Sequence, residues 1–410
     1  MLLLPVDGCL FLLEKERSLD ISWQVVRGGQ FQPRATSQNT HPRTSKPLGR
    51  HLPDSAIKPA SDDRGQLELP KAYSSGNHRC SEKLGSGTHL TQQVNMTFFR
   101  KDEQLETLGT GIVEATRAEF PGLASNQIAL TWIVYDAPVP VNTGGALSPE
   151  EFWKYSVRGF SYRGVERIYP ASVVKLFYLV AVYEWLDKGM ITAASSELDR
   201  AIRDMIIDSS NDATSLVVDV LSGTTSGPEL APAPMTTWQQ QRNIVNRYFQ
   251  SLGWAELETI NVNQKTWGDG PYGRERAFLG ELMENRNMLT TNATARLLHS
   301  IVGGVAVSSA RSQAMMALMK RSLNPADLTT DENQVTGFLG GGLPQNAQIW
   351  SKAGWTSQVR HDAAYIELPN RQPYLLVVFT EGKANSQNKD ILPFLSKQVV
   401  AAIEKRTASA

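Results

Sequence analysis

The run Tyr169-Pro-Ala-Ser-Val-Val-Lys-Leu-Phe-Tyr-Leu-Val180 decides how the rest of the chain is read, because it places a cation in an otherwise apolar helix. Pro170 suits a first helical turn, where no N–H is needed, and from Val173 to Val182 every residue except Lys175 is apolar or aromatic. The pattern predicts an internal helix from Ser172 to about Lys188, ended by Gly189. An ammonium in such a helix loses hydration and titrates low unless it is paired, the condition under which a lysine acts as a base near neutral pH. Ser172 lies one turn earlier on the same face, and the start of the helix adds backbone N–H groups and a positive dipole end that favour developing negative charge. The pair reads as an activated nucleophile. It also reads as an N-cap serine with a snorkelling lysine, and a second Ser-x-x-Lys, Ser55-Ala-Ile-Lys58, has no helix or core around it. Partners elsewhere in the chain must decide.

The chain has 410 residues, 41% of them hydrophobic, with 9 Trp and 13 Phe, which is enough for a sizeable core in one large domain or two. Residues 1–95 stand apart: they are rich in Ser, Pro, Gly, Arg and Gln, hold Cys9 and Cys80, and show no sustained period. They read as a disordered tail, with Met96 as the natural start and 96–410 as the folded domain. The opening Met-Leu-Leu-Leu-Pro-Val-Asp has no basic start and carries Pro5 and Asp7, so it does not read as a secretion signal, and a cytoplasmic location is favoured over a periplasmic one. No apolar run reaches about 18 residues, so no transmembrane helix is expected. A formal net charge of zero gives no sign of nucleic acid or an acidic membrane surface as partner. The body keeps only His299 and His361 and no cysteine, so no metal site or cofactor is expected, and the expected state is a monomer.

Along the body, an amphipathic helix is predicted over about 101–119, a strand over Gln127–Tyr135, a Pro/Gly-rich excursion over 136–149 and a second strand over Phe160–Arg167. After the Ser172 helix come another, Ser195–Ile207, a polar knot at Asp208-Ser-Ser-Asn-Asp, and a third apolar helical run. Asn261–Asn287 is irregular, and a stretch of that length in a compact domain is usually functional. Helices over Leu289–Ile301 and Ser309–Arg321 lead to strands at Gln348–Lys352, Ala363–Leu368 and Tyr374–Thr380 and a closing helix, Ile391–Glu404. The fold class is therefore α+β: an antiparallel sheet from N- and C-terminal segments (about 100–170 and 345–410), flanked by helices, with an all-helical middle over about 171–344.

Three separated pieces line up: Ser172-Val-Val-Lys175, Ser209-Ser-Asn211 between helices, and Lys352-Ala-Gly354 on a strand. Their order resembles the Ser-x-x-Lys, Ser-Asp-Asn and Lys-Thr-Gly motifs of class A β-lactamases and penicillin-binding proteins. The likeness covers roughly 100–405. It implies Ser172 as acylated nucleophile, Lys175 as base or relay, Ser209 as proton donor to the leaving nitrogen, and Asn211 as a substrate-amide ligand that also holds Lys175. It further implies Lys352 as a positive charge beside Ser209, and the N–H groups of Ser172 and Trp355 as oxyanion hole next to Gly354. Taken singly, Ser209 and Asn211 also read as a helix cap and Lys352 as a surface strand residue.

The departures bear on activity. Ser210 stands where the family has aspartate, and Ala353 where it has threonine; Thr356, Ser357 or Arg360 are the residues that could replace the lost hydroxyl contact. No Glu-x-x-Leu-Asn string is present, and by distance to Thr290 the deacylating carboxylate is expected at Glu275, with Glu281, Glu284 and Asp269 behind it, unless these are solvated loop charges. The resemblance implies a serine hydrolase of β-lactams. Alternatives are a D-alanyl-D-alanine carboxypeptidase or penicillin-binding protein, another amide or ester hydrolase, and a non-catalytic binding protein of the same fold. The implied partner is a small-molecule or peptide amide.

Overall fold

In a computed structural model of the chain, residues 97–136, 147–192, 195–330 and 333–408 are described; the expectations for residues 1–95 and for most of the 136–149 excursion lie outside them. Seven strands form one sheet: β1 Phe99–Lys101, β2 Ile128–Val134, β3 Val157–Tyr162, β4 Lys320–Arg321, β5 Gln348–Trp355, β6 Val359–Glu367 and β7 Tyr374–Glu381. Their order is β1-β3-β2-β7-β6-β5-β4, so the two ends of the body meet where β2 pairs with β7, from Ile128↔Thr380 to Val134↔Tyr374.

Strand alternation sends side chains into two cores. Ile128, Leu130, Trp132 and Val134 join one core with the helices Glu103–Glu119 and Ile391–Ala408, while Ala129 and Ile133 join the other with the helices Lys175–Asp187, Ser196–Ile207 and Thr291–Val302. Because helices cover both faces, the central strands are apolar along their length, which is why they read as strands from β-branched and aromatic content without polar alternation. The helix Lys175–Asp187 lies inside: Leu176, Phe177, Leu179 and Ala181 are buried, and the Trp185 indole N–H donates to Leu221 O at 3.1 Å.

Three details depart from the sequence reading. The sheet is mixed, since β1 runs parallel to β3 (Phe99↔Val157) while the other pairings are antiparallel; a strand of three residues is too short to leave a pattern. The strand expected at Phe160–Arg167 is β3, displaced toward the N-terminus, because Arg163 takes φ 51 and turns the chain out. The middle segment is not all helical, for it contributes β4, which pairs Lys320 with Trp350 and Arg321 with Ile349.

The irregular 261–287 stretch contains a helix, Gly273–Leu279, and is closed at its base by the bridges Asn261↔Met288 and Ile168↔Leu289. Asparagine side chains clamp its two limbs. Asn287 Oδ1 accepts from the backbone N–H groups of Asn263 and Gln264 at 3.0 and 2.9 Å, and Asn263 Nδ2 donates to Asn243, Asn261 and Asn285. Such side-chain bonds stand in for the ladder that an irregular backbone lacks.

Candidate active site

The nucleophile turn comes first. Ala171–Val174 forms a 3-10 turn ahead of the helix Lys175–Asp187; its other residues are buried and Ser172 is partly exposed. Ala171, just before the serine, has φ 47, a left-handed conformation that costs roughly 1–3 kcal/mol for an L-residue and persists only where the surroundings impose it. Two neighbours do so. His361 Nδ1 accepts from Thr380 N–H at 3.1 Å, and an amide N–H can only donate, so the imidazole proton sits on Nε2 and is given to Tyr169 O at 2.9 Å. Burial pushes His361 down to about 4, which keeps this ring neutral. The second neighbour is Gly354 on β5, where a Cβ would stand 2.7 Å from Pro170 O, 3.0 Å from Val173 N and 3.1 Å from Ser172 N. Only a glycine lets the strand run this close to the turn.

Ser209 follows the helix Ser196–Ile207 and its C-cap Asp208, and with φ 56 it is the second left-handed non-glycine residue of the site. That twist directs both its carbonyl and its hydroxyl at lysines. Lys175 Nζ donates to Ser209 O and, at 2.9 Å, to Asn211 Oδ1, and lies 3.3 Å from Ser209 Oγ. Lys352 Nζ donates to the same Oγ at 2.9 Å. Ser210, at the family's aspartate position, caps the next helix, its Oγ accepting from Ala213 N at 3.1 Å. Burial brings Lys175 down to about 7. Lys352 is wholly buried and lies well below the usual lysine range, through burial first and then repulsion from Lys175 and Arg321, with Asp362 opposing.

Ser172 and Gly354 therefore meet across the turn, and Lys175, Ser209, Asn211 and Lys352 form one hydrogen-bonded group. Other sequence candidates are engaged elsewhere. Thr356 Oγ1 accepts from Gln358 N at 3.2 Å. The Trp355 indole donates to Ser386 O at 3.0 Å. Arg360 gives Nε to Ser386 O at 2.8 Å and Nη1 to Gly337 O at 3.4 Å, its guanidinium lying over the Phe338 and Trp355 rings.

Glu275, expected as the deacylating carboxylate, lies in the helix Gly273–Leu279. It is buried, but its Oε1 accepts from Arg242 at 2.6 Å and from Ser226 at 2.8 Å, with Lys265 at 3.8 Å. Arg242 and Lys265 also pair with Asp219, so the carboxylate belongs to an ion cluster anchoring the helix Gly273–Leu279 to the helix Asn211–Ser222. Glu281 and Asp269 are exposed, and Glu284 Oε2 closes a turn by accepting from Leu282 N at 3.0 Å.

Three residues of the site had no motif to announce them. His361 holds the turn as described. Tyr178, one turn beyond Lys175, donates its O–H to Gln264 O at 2.6 Å and ties the nucleophile helix to the 261–287 stretch. Gln334 accepts from Lys352 Nζ at 2.6 Å. A tyrosine one turn after a buried lysine is a faint signal; a lone glutamine is none. Among the described residues no group of three or more His, Cys, Asp or Glu could hold a metal ion, and no helix is long and apolar enough to cross a membrane.

Comparison with known proteins bears on the fold. The chain is similar in structure to PBP-A (19% identity, 75% of this chain and 98% of that chain, TM-score 0.50) and to a PBP-A mutant solved as an acyl-enzyme complex with penicillin G (18%, 75% and 98%, TM-score 0.51). A β-lactamase from Sphaerobacter thermophilus aligns over 72% of this chain and 98% of its own at 18% identity and TM-score 0.49. The two PBP-A structures show likeness of fold alone. A search of curated proteins returned no match. The profile of the beta-lactamase enzyme family matches residues 193–403, just over half of the sequence, and with its α+β fold the chain belongs to that family.

Proposed function

We propose that this chain is a serine hydrolase forming an acyl-enzyme on Ser172, with β-lactam hydrolysis as its activity. The observation that carries the reading is the convergence of Lys175 and Lys352 on Ser209 Oγ, at 3.3 and 2.9 Å, beside the Ser172 turn. A lysine brought down to about 7 has a substantial neutral fraction at physiological pH and can accept the Ser172 proton as Oγ attacks the amide carbon. The N–H groups of Ser172 and Trp355 receive the developing oxyanion. Ser209 O–H then protonates the leaving nitrogen and recovers a proton from Lys175, so the C–N bond breaks with Lys175 neutral again. In deacylation the same lysine takes a proton from water. Arg321, whose charge acts on Lys352, adds a positive field to the site, which suits a substrate bearing a carboxylate.

A second reading is a penicillin-binding or peptidase-like protein whose acyl-enzyme persists. It is favoured by the engagement of Glu275 with Arg242, Ser226 and Lys265, which leaves that carboxylate serving a different set of partners. One experiment separates the two: the full chain and its Ser172→Ala variant are incubated with a chromogenic cephalosporin and a fluorescent penicillin, and turnover and intact mass are followed together. Sustained turnover lost in the variant supports the β-lactamase reading, and a stable adduct on Ser172 the penicillin-binding one. Neither adduct nor turnover would overturn both.

A further inference from the structure

We propose that Gln334 is a positioning residue for Lys352, standing where a neighbouring strand would stand and holding the lysine toward Ser209 with a neutral partner. β4 is two residues long and pairs only as far as Trp350, so β5 beyond that point has no strand at its edge. Side chains take over. Arg321 Nε and Nη2 donate to Ser351 O at 3.2 and 3.0 Å, and Gln334 Oε1 accepts from Ala353 N at 3.2 Å. The same Oε1 accepts from Lys352 Nζ at 2.6 Å, while Gln334 Nε2 donates to Ile206 O and Ile207 O at 3.1 and 2.8 Å. Those carbonyls end the helix that delivers Ser209. One buried amide therefore ties the strand carrying Lys352 to the helix that positions Ser209.

Valence then decides where Lys352 points. Its Nζ has three partners: Gln334 Oε1, Ala353 O at 2.8 Å and Ser209 Oγ at 2.9 Å. The first two can only accept, so they hold two N–H bonds whatever the charge of the amine. The hydroxyl can accept or donate, so a neutral Lys352 turns its lone pair to the Ser209 O–H. Lys175 is locked the same way by two pure acceptors, Ser209 O and Asn211 Oδ1. A carboxylate at position 334 would hold the ammonium in its charged form; an amide does not. The charged groups around Lys352 are Lys175, Arg321 on β4 and Asp362 on β6, with Asp208 acting on Arg321. Resting on the acyl-transfer reading above, this arrangement lets a neutral Lys352 take the Ser209 proton and hand it back as the leaving nitrogen is protonated.

The test uses Gln334→Glu and Gln334→Met in the full chain. Carbon NMR of lysine Cε, with the Lys352 signal assigned by its loss in Lys352→Arg, gives the Lys352 titration midpoint without any substrate; penicillin acylation rates across pH give the functional effect. The expected result for Gln334→Glu is a midpoint at least one pH unit higher, an acylation rate at pH 7 reduced at least about tenfold, and recovery at correspondingly higher pH. Gln334→Met should slow acylation at every pH without raising the midpoint. An unchanged midpoint in Gln334→Glu, or wild-type acylation by Gln334→Met, overturns the proposal. Should the glutamate variant fail to fold, the methionine variant decides it alone. If the wild type forms no penicillin adduct, the acyl-transfer reading fails separately, and the midpoints still decide the role of Gln334.

Discussion

Replacing Lys175 by methionine should stabilise the fold while abolishing acylation, and the gain should depend on pH. In the folded chain burial brings Lys175 down to about 7, against roughly 10.4 in an unfolded chain. Below pH 7 both states hold the proton, and the folded state carries the full cost of keeping it, roughly 4–5 kcal/mol at about 1.4 kcal/mol per unit. Between about 7 and 10 the unfolded chain holds the proton and the folded chain does not, so wild-type stability rises with pH across that window. Above it the cost has gone. Methionine removes the charge but leaves Ser209 O and Asn211 Oδ1 without their lysine, a loss of roughly 1–3 kcal/mol for a buried acceptor and less for Asn211, which is half-buried. The balance is a net gain of roughly 1–3 kcal/mol at pH 6, or on the order of 1–5 °C in Tm, shrinking to nothing or reversing by about pH 10. Calorimetric melting of both proteins at intervals from pH 6 to pH 10 measures it. A difference in Tm that stays constant across that range would refute the assignment of a low-titrating Lys175.

Acylation by penicillin in the wild type should rise with pH through about 7 as Lys175 loses its proton, and a rate that is flat from pH 5 to 9 would contradict its role as base. Gly354→Ala should slow acylation by roughly a hundredfold, because the new Cβ meets backbone atoms at 2.7–3.1 Å and β5 must retreat from the Ser172 turn; a wild-type rate in a folded variant would show that the close approach is dispensable. Glu275→Gln should leave the deacylation rate unchanged yet lower the melting point, since Arg242 and Lys265 lose a counter-charge worth roughly 1–3 kcal/mol. A drop in deacylation of about a hundredfold or more, seen in stopped-flow release of the acyl group, would restore Glu275 as the base.

Much of this was legible because the informative signals were local or periodic. An apolar run interrupted only by Lys175 could lie nowhere but inside, and the two ends of the body were recognisable as strands by composition, so the α+β fold followed. Ser172, Lys175, Ser209 and Lys352 could be singled out because short motifs fix residue order, and the last three share one hydrogen-bonded group. What stayed hidden depends on direction in space. Two-residue β4 and three-residue β1 are below the length at which a period can register, and the ion cluster of Glu275 with Arg242, Lys265 and Asp219 joins residues far apart in sequence.

Gln334 shows the limit most clearly, and the reason is the missing strand rather than the glutamine. Had β4 begun three residues earlier, at Ala317, where the helix Ser309–Met319 runs instead, the Ala353 N–H would have found a backbone acceptor, and nothing would have required a side chain at the edge of β5. Because it does not, one buried acceptor serves both that N–H and Lys352, and the requirement for a neutral group that also donates to Ile206 O and Ile207 O narrows the choice to an amide. The short strand and the glutamine are thus one feature: an unfinished edge exposes backbone polarity beside Lys352, and the residue completing it also sets the direction and charge environment of that lysine.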